Sequence, residues 1–258
     1  MSPFVRLGKS PNVVPNFFVI AHYLLLSNYF YNMPILNFDT ERHLKHVHND
    51  ELPDCHYLIV GRTGSGKTNL LMNLLLGDNF NYDRVYIYTI NPQQDKYELL
   101  SEYNNKLRDG LEAGEDFFII KQPEELIPVS EIDSDVHKIV VFDDIPLNNM
   151  EMNKIRSYFS LSRNKKCNSV YLAQGFYNVD RFIRRNTGCF ILFPGLDNVD
   201  VRNIANEQYG DVRKDKFIEL YHKATADRYN FFLFDKLTRD PKKKCFAVVL
   251  KITYSSLV

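Results

Sequence analysis

Gly61-Arg62-Thr63-Gly64-Ser65-Gly66-Lys67-Thr68 follows four apolar residues, Tyr57-Leu58-Ile59-Val60, and runs directly into a helical stretch from Thr68 to Leu76. Few sequence features narrow the choice of fold so far. The octet satisfies G-x-x-x-x-G-K-[ST] between a buried strand and a helix, the context in which backbone N–H groups and the positive end of the helix close around phosphate oxygens. Gly61, Arg62, Thr63, Gly64, Ser65, Gly66, Lys67, Thr68 and Asn69 are therefore the candidate nucleotide-binding residues. Lys67 is expected to reach the β and γ phosphates, and the Thr68 hydroxyl to ligate magnesium.

The rest of the chain is consistent with that start. From His56 onward, short β-rich runs alternate with helical ones: strand His56 to Val60, helix Gly66 to Leu76, strand Arg84 to Thr89, helix Gln94 to Leu107, and strand Phe117 to Ile120. The pattern continues through strand Lys138 to Phe142, helix Glu151 to Ser162, strand Ser169 to Ala173, a short helix Val179 to Arg185, strand Cys189 to Phe193 and helix Asp200 to Gln208. Several strands are unbroken apolar runs, as in a parallel sheet covered on both faces. Tyr229 to Phe234 and Cys245 to Thr253, joined by a turn around Asp240 and Pro241, read as two antiparallel strands. The expected fold is a P-loop NTPase three-layer αβα sandwich, with a mostly parallel central sheet and a C-terminal antiparallel edge hairpin. Its core spans residues 53–258, after an aromatic, proline-containing extension over residues 1–52 in which Met33 offers an alternative start.

A second chemical signal lies at Lys138-Ile139-Val140-Val141-Phe142-Asp143-Asp144, where a central strand ends in two carboxylates. Open α/β sheets bind ligands at the carboxyl ends of their strands. Asp143 is the candidate carboxylate that holds magnesium through its water shell, and Asp144, one residue on and facing the γ phosphate, the candidate that orients or deprotonates the attacking water. A strand ending in Asp-Asp is weak by itself, since acidic residues often start turns; an upstream phosphate loop makes it specific. A third strand, Ser169 to Ala173, ends in Gln174, whose amide is placed to sense the γ phosphate or the water. Asn164-Lys165-Lys166-Cys167 lacks the final Asp of a guanine-reading Asn-Lys-x-Asp signature, which favours ATP.

Composition adds limits. The chain has 32 basic and 32 acidic residues, so no global positive field draws it to nucleic acid, and DNA contact would need local patches or an assembled ring. The densest basic clusters are Arg239 with Lys242-Lys243-Lys244, and Arg181 with Arg184 and Arg185. Cys55, Cys167, Cys189 and Cys245 show neither zinc spacing nor a secreted disulfide framework, pointing to a reducing intracellular compartment. Phe17 to Tyr31 is apolar but broken by His22, Ser27 and Asn28, and it falls short of the roughly 20 residues a membrane span needs; no membrane role is expected.

Six segments in order resemble one family: Tyr57 to Thr68, then Val85 to Thr89 with Asn91 to Tyr97, then Val140 to Asp144, Ser162 to Cys167, Tyr171 to Gln174, and Ile183 to Asn186. This pattern, over about residues 53–205, is similar to the genome-packaging ATPases of poxviruses, other large DNA viruses and virus-like transposons, within the FtsK–HerA class. The resemblance implies an ATP- and magnesium-dependent hydrolase that assembles as a homo-oligomeric ring and threads double-stranded DNA into a capsid, in a cytoplasmic, nuclear or virion-associated setting. It makes Arg163 a candidate finger reaching a neighbouring subunit's nucleotide, although this chain has Ser162 where the family usually has Gly. Arg184, in Ile-Arg-Arg-Asn, becomes a second candidate for γ-phosphate or inter-subunit contact. Two alternatives stand beside this reading. One is a P-loop phosphotransferase, which would need an acceptor pocket. The other is a decayed viral copy serving as a nucleotide-binding interaction protein, against which the intact Lys67, Thr68, Asp143 and Asp144 argue.

Overall fold

The computed structural model describes residues 52–76, 80–111, 116–145, 149–209, 214–227, 229–237 and 245–248. The extension over residues 1–52, the basic cluster Arg239 with Lys242 to Lys244, and the expected strand residues beyond Val248 lie outside, apart from residue 52 itself.

Among the described residues, eight strands form one sheet: β1 (Tyr57–Val60), β2 (Arg84–Thr89), β3 (Phe118–Lys121), β4 (Lys138–Asp143), β5 (Cys167–Ala173), β6 (Cys189–Leu192), β7 (Phe231–Asp235) and β8 (Cys245–Val248). Their order across the sheet is β3-β2-β4-β5-β1-β6-β7-β8. The first six are mutually parallel, β7 pairs antiparallel with β6, and β8 pairs antiparallel with β7, as the sequence leads one to expect. Parallel neighbours cannot be joined by tight turns, so the chain must cross over between them, and helices fill those crossings. α1 (Lys67–Leu76), α2 (Asp95–Leu111), α3 (Asn149–Leu161) and α4 (Arg181–Asn186) lie in such crossings, whereas α5 (Asn198–Tyr209) and α6 (Lys214–Ala224) lie in the connection between β6 and its antiparallel neighbour β7.

Every residue of β1, β4 and β6 is buried, so both faces of the sheet are covered there. The chain's many aromatic residues fill this core. Phe142 on β4 lies 5.4 Å from Tyr158, 6.1 Å from Tyr88 and 6.2 Å from Tyr171, centroid to centroid. Burying a tyrosine is favoured when its hydroxyl finds a partner, and Tyr158 donates to the Ile127 carbonyl at 2.7 Å. His56, just before β1, is 1 % exposed and accepts the Ser169 amide at Nδ1. Burial, reinforced by the nearby Arg163 charge, lowers its pKa to about 4.

Helix α6 has no counterpart in the elements expected from sequence. Its buried residues, Phe217, Tyr221 and Ala224, fall at positions i, i+4 and i+7, one face of a helix. Tyr221 uses its hydroxyl to tie α6 to the segment after β6, donating to the Phe193 carbonyl at 3.0 Å and accepting the Leu196 amide at 3.3 Å. Among the described residues no helix is long and apolar enough to cross a membrane.

Candidate active site

The phosphate loop joins the carboxyl end of β1 to the start of α1. Its backbone is anchored by the Gly61 amide, which donates to the Ala173 carbonyl of β5 at 3.0 Å. A Cβ on Gly61 would meet Ser65 Oγ at 2.5 Å and Phe193 Cβ at 2.7 Å, so no side chain fits there. Gly66, at φ 105, makes the turn into α1 in a region that L side chains rarely adopt. Lys67 is 6 % exposed, and its ammonium donates to the loop's own Gly61 carbonyl at 2.8 Å.

β5 lies between β1 and β4, so the loop, Gln174 and the paired carboxylates all emerge at one edge of the sheet. Gln174 Nε2 donates to Asp144 Oδ2 at 3.2 Å, which brings together two residues 30 apart in sequence. Asp144 is half-buried and sits at φ 47, a left-handed conformation that costs a non-glycine residue about 1 kcal/mol and that Asp and Asn tolerate best. Strained backbone of this kind is concentrated at functional sites.

Asp143 is 6 % exposed. Burial raises its pKa and the Asp144 charge pushes the same way, while hydrogen bonds from Tyr97 and Gln94 and the Lys67 charge oppose the rise. Lys67 is the mirror image, its pKa lowered by burial against the pull of Asp144 and then Asp143. Both shifts disfavour the charged forms, and the hydroxyl oxygen of Ser65 is buried without a hydrogen-bond partner. These are groups that a polyphosphate and a hydrated cation would satisfy. The donor set also suits the metal. Magnesium keeps much of its water and binds through one or two carboxylates plus substrate phosphates, so Asp143 and the Thr68 hydroxyl are ligand enough.

The candidate arginines lie elsewhere. Arg163 is exposed in a single 3-10 turn, Ser162–Lys165, at the amino end of β5. The seven residues Cys167–Ala173 then separate it from the phosphate edge, about 20 Å at strand rise. Ser162 needs no glycine conformation: the left-handed residue of this turn is Lys166, at φ 48. Ser162 is fully buried, with its hydroxyl within 2.9 Å of the Cys167 carbonyl and close to that of Tyr158. Arg184 is 7 % exposed and engaged within the chain. Its guanidinium donates to the Val179 carbonyl at 2.8 Å, pairs with Glu207 at 3.3 Å and covers the rings of Phe176 and Tyr177. The segment it holds directly follows Gln174.

Two residues at the site were not singled out from sequence. Tyr97 donates its hydroxyl to Asp143 Oδ2 at 2.6 Å, and Gln94 Nε2 lies 3.4 Å from the same oxygen. Their only advance signal is membership of the Asn91 to Tyr97 segment. No pattern rule predicts a phenol reaching a carboxylate 46 residues away.

The sequence matches the family model of the poxvirus A32 protein over residues 45–251. No curated protein matches it. Among solved structures, the chain is similar to B204, the DNA-packaging ATPase of Sulfolobus turreted icosahedral virus, at 14 % identity and TM-score 0.48, over 71 % of this chain and 93 % of that one. The genome-packaging NTPase B204 of Sulfolobus turreted icosahedral virus 2, solved with ATP-γ-S, is similar at 12 % identity and TM-score 0.46, over 73 % and 96 % of the two chains. The pCW3 conjugation coupling protein TcpA is similar at 16 % identity and TM-score 0.41, over 76 % and 60 %. These likenesses are too distant to carry an argument. The family match is of another kind: running from before β1 to beyond β8, it takes in the whole sheet, and the chain belongs to the poxvirus A32 protein family.

Proposed function

We propose that the chain is a magnesium-dependent ATPase that works as a homo-oligomeric ring and drives double-stranded DNA into a viral capsid. The observation that carries the chemistry is the convergence of Lys67, Asp143, Asp144 and Gln174 at one edge of the sheet, with β5 between the phosphate-loop strand and the acidic strand. Bound magnesium supplies charge neutralisation at the phosphates and a fixed point for orienting them. The chain's residues do the rest. The loop amides and Lys67 would bind the phosphates, Thr68 and Asp143 would hold the ion, and Asp144 would accept the proton of the attacking water, with Gln174 holding the Asp144 carboxylate. The distance of Arg163 from its own loop supports a finger offered to a neighbour. Arg184, bound to the carbonyl of Val179, keeps the segment after Gln174 in place.

The DNA part of the proposal rests on family membership and on the packaging ATPases that the sequence resembles. Arg181 and Arg185, both exposed on α4, are the described residues offered to phosphates, in contacts that position DNA without reading bases. The setting that follows is intracellular, in cytoplasm or nucleus, or associated with the virion.

Water as the acceptor separates this reading from a phosphotransferase. Purified chain with magnesium and ATP, and no other acceptor, is expected to release inorganic phosphate steadily over many turnovers. A preparation that binds ATP yet releases phosphate only when a second substrate is added would overturn the hydrolase assignment.

A further inference from the structure

Asp143 does not stand alone at the end of β4. Among the described residues, the hydrogen bonds to its side chain fall on Oδ2, from Tyr97 Oη at 2.6 Å and Gln94 Nε2 at 3.4 Å, which leaves Oδ1 as the oxygen available to an ion. The first distance lies in the range of a charge-assisted O–H···O⁻ bond. Tyr97 is fully buried, and beside a carboxylate its phenol is the donor of the hydrogen bond they share. Its ring is fixed because Tyr97 sits in the first turn of α2, whose amino end is set by the turn after β2. There the Tyr97 and Glu98 amides both donate to the Gln94 carbonyl. Thr89, the last residue of β2, lies opposite Asp143 in the sheet register, so β2, α2 and the carboxylate form one packed unit.

We propose that Tyr97 is a positioning residue for the magnesium ion: its phenol, seconded by the Gln94 amide, holds Asp143 by Oδ2 and presents Oδ1 to the metal. This rests on the reading of Asp143 as the magnesium carboxylate. It assigns the β2–α2 connection to the nucleotide machinery, and it makes α2 an element whose displacement would be felt at the ion. A carboxylate as buried as Asp143 must have partners, and those partners decide which way it faces. Groups that orient a metal ligand in this way typically contribute 10- to 100-fold to metal affinity.

The test is Tyr97→Phe in the full chain, which keeps the ring and removes one oxygen. The magnesium concentration for half-maximal ATP turnover should rise about 10- to 100-fold, while kcat and the KM for ATP at saturating magnesium stay within a few-fold. Direct titration of Mn²⁺ in the presence of ADP, followed by electron paramagnetic resonance, should show the same weakening without any turnover. Affinity for a fluorescent ATP analogue in EDTA should be unchanged. A purely structural phenol would instead lower the melting temperature or kcat and leave both metal titrations where they were, and that result overturns the proposal. Should Tyr97→Phe prove too unstable to purify, Gln94→Leu decides: a weaker shift in the same direction supports the proposal, and none overturns it. Asp143→Asn separates the two levels of argument. If it leaves the metal titrations unchanged, the metal-ligand reading itself fails; if it abolishes metal binding while Tyr97→Phe does not weaken it, only the positioning role fails.

Discussion

Asp144→Asn is expected to lower kcat for ATP hydrolysis by about 10²- to 10⁴-fold, the range that a positioned general base contributes, while nucleotide affinity changes by no more than a few-fold. The substitution suits the geometry. Asp144 sits at φ 47, and asparagine tolerates that left-handed backbone as well as aspartate does, so the strand-to-loop junction need not move. The side-chain oxygen that receives Gln174 Nε2 at 3.2 Å is kept as well. What disappears is the capacity to take a proton from water. Phosphate release and fluorescent-nucleotide binding, measured on the same preparation, distinguish this from a binding defect. A variant whose kcat stays within tenfold of the parent would move the base elsewhere. Asp143→Asn should differ in kind, because it removes the carboxylate proposed to bind the metal.

Arg163→Ala is expected to leave ATP binding intact and to cut turnover about 10³- to 10⁵-fold, the scale on which arginine fingers act. The structural reason for looking beyond one subunit is position: Arg163 lies at the amino end of β5, while its own phosphate loop is at the carboxyl end of the sheet. A mixing experiment makes the point decisive. Arg163→Ala chains keep an intact loop, and Lys67→Ala chains keep an intact arginine. Mixed, the two inactive proteins should regain part of the activity, at interfaces where an intact site meets an intact finger. No recovery over a range of mixing ratios, with assembly verified, would remove Arg163 from a role between subunits.

The parts of this molecule that were legible in sequence are those where local pattern and chemistry coincide. The Gly61 to Thr68 turn announces itself because glycines, a lysine and a hydroxyl stand at fixed offsets between an apolar strand and a helix, and Asp143-Asp144 because a fully buried strand ends in charge. Gln174 was found because the strand before it is equally apolar. The insertion of β5 between β1 and β4 is a fact of the sheet that alternation alone does not order. Helix α6 carried the right spacing in Phe217, Tyr221 and Ala224, yet with Lys214, Asp215 and Lys216 at its start it reads as a charged connector. Arg184 stands in the sequence as a candidate for γ-phosphate or inter-subunit contact. Its burial depends on Glu207, 23 residues on, and on carbonyls of a single-turn helix, neither of which periodicity reveals. Tyr97 was hidden for the same reason: its bond to Asp143 exists only once β2 and β4 lie side by side.

The most direct measurement is the rate of ATP hydrolysis by the full chain, with and without long linear double-stranded DNA, beside a Lys67→Ala control. A DNA-driven ATPase of this design shows turnover that rises when DNA is added and is absent in the control, since Lys67 is the buried cation of the phosphate loop. Turnover indifferent to DNA at every length, or turnover that survives the loss of Lys67, would contradict that design.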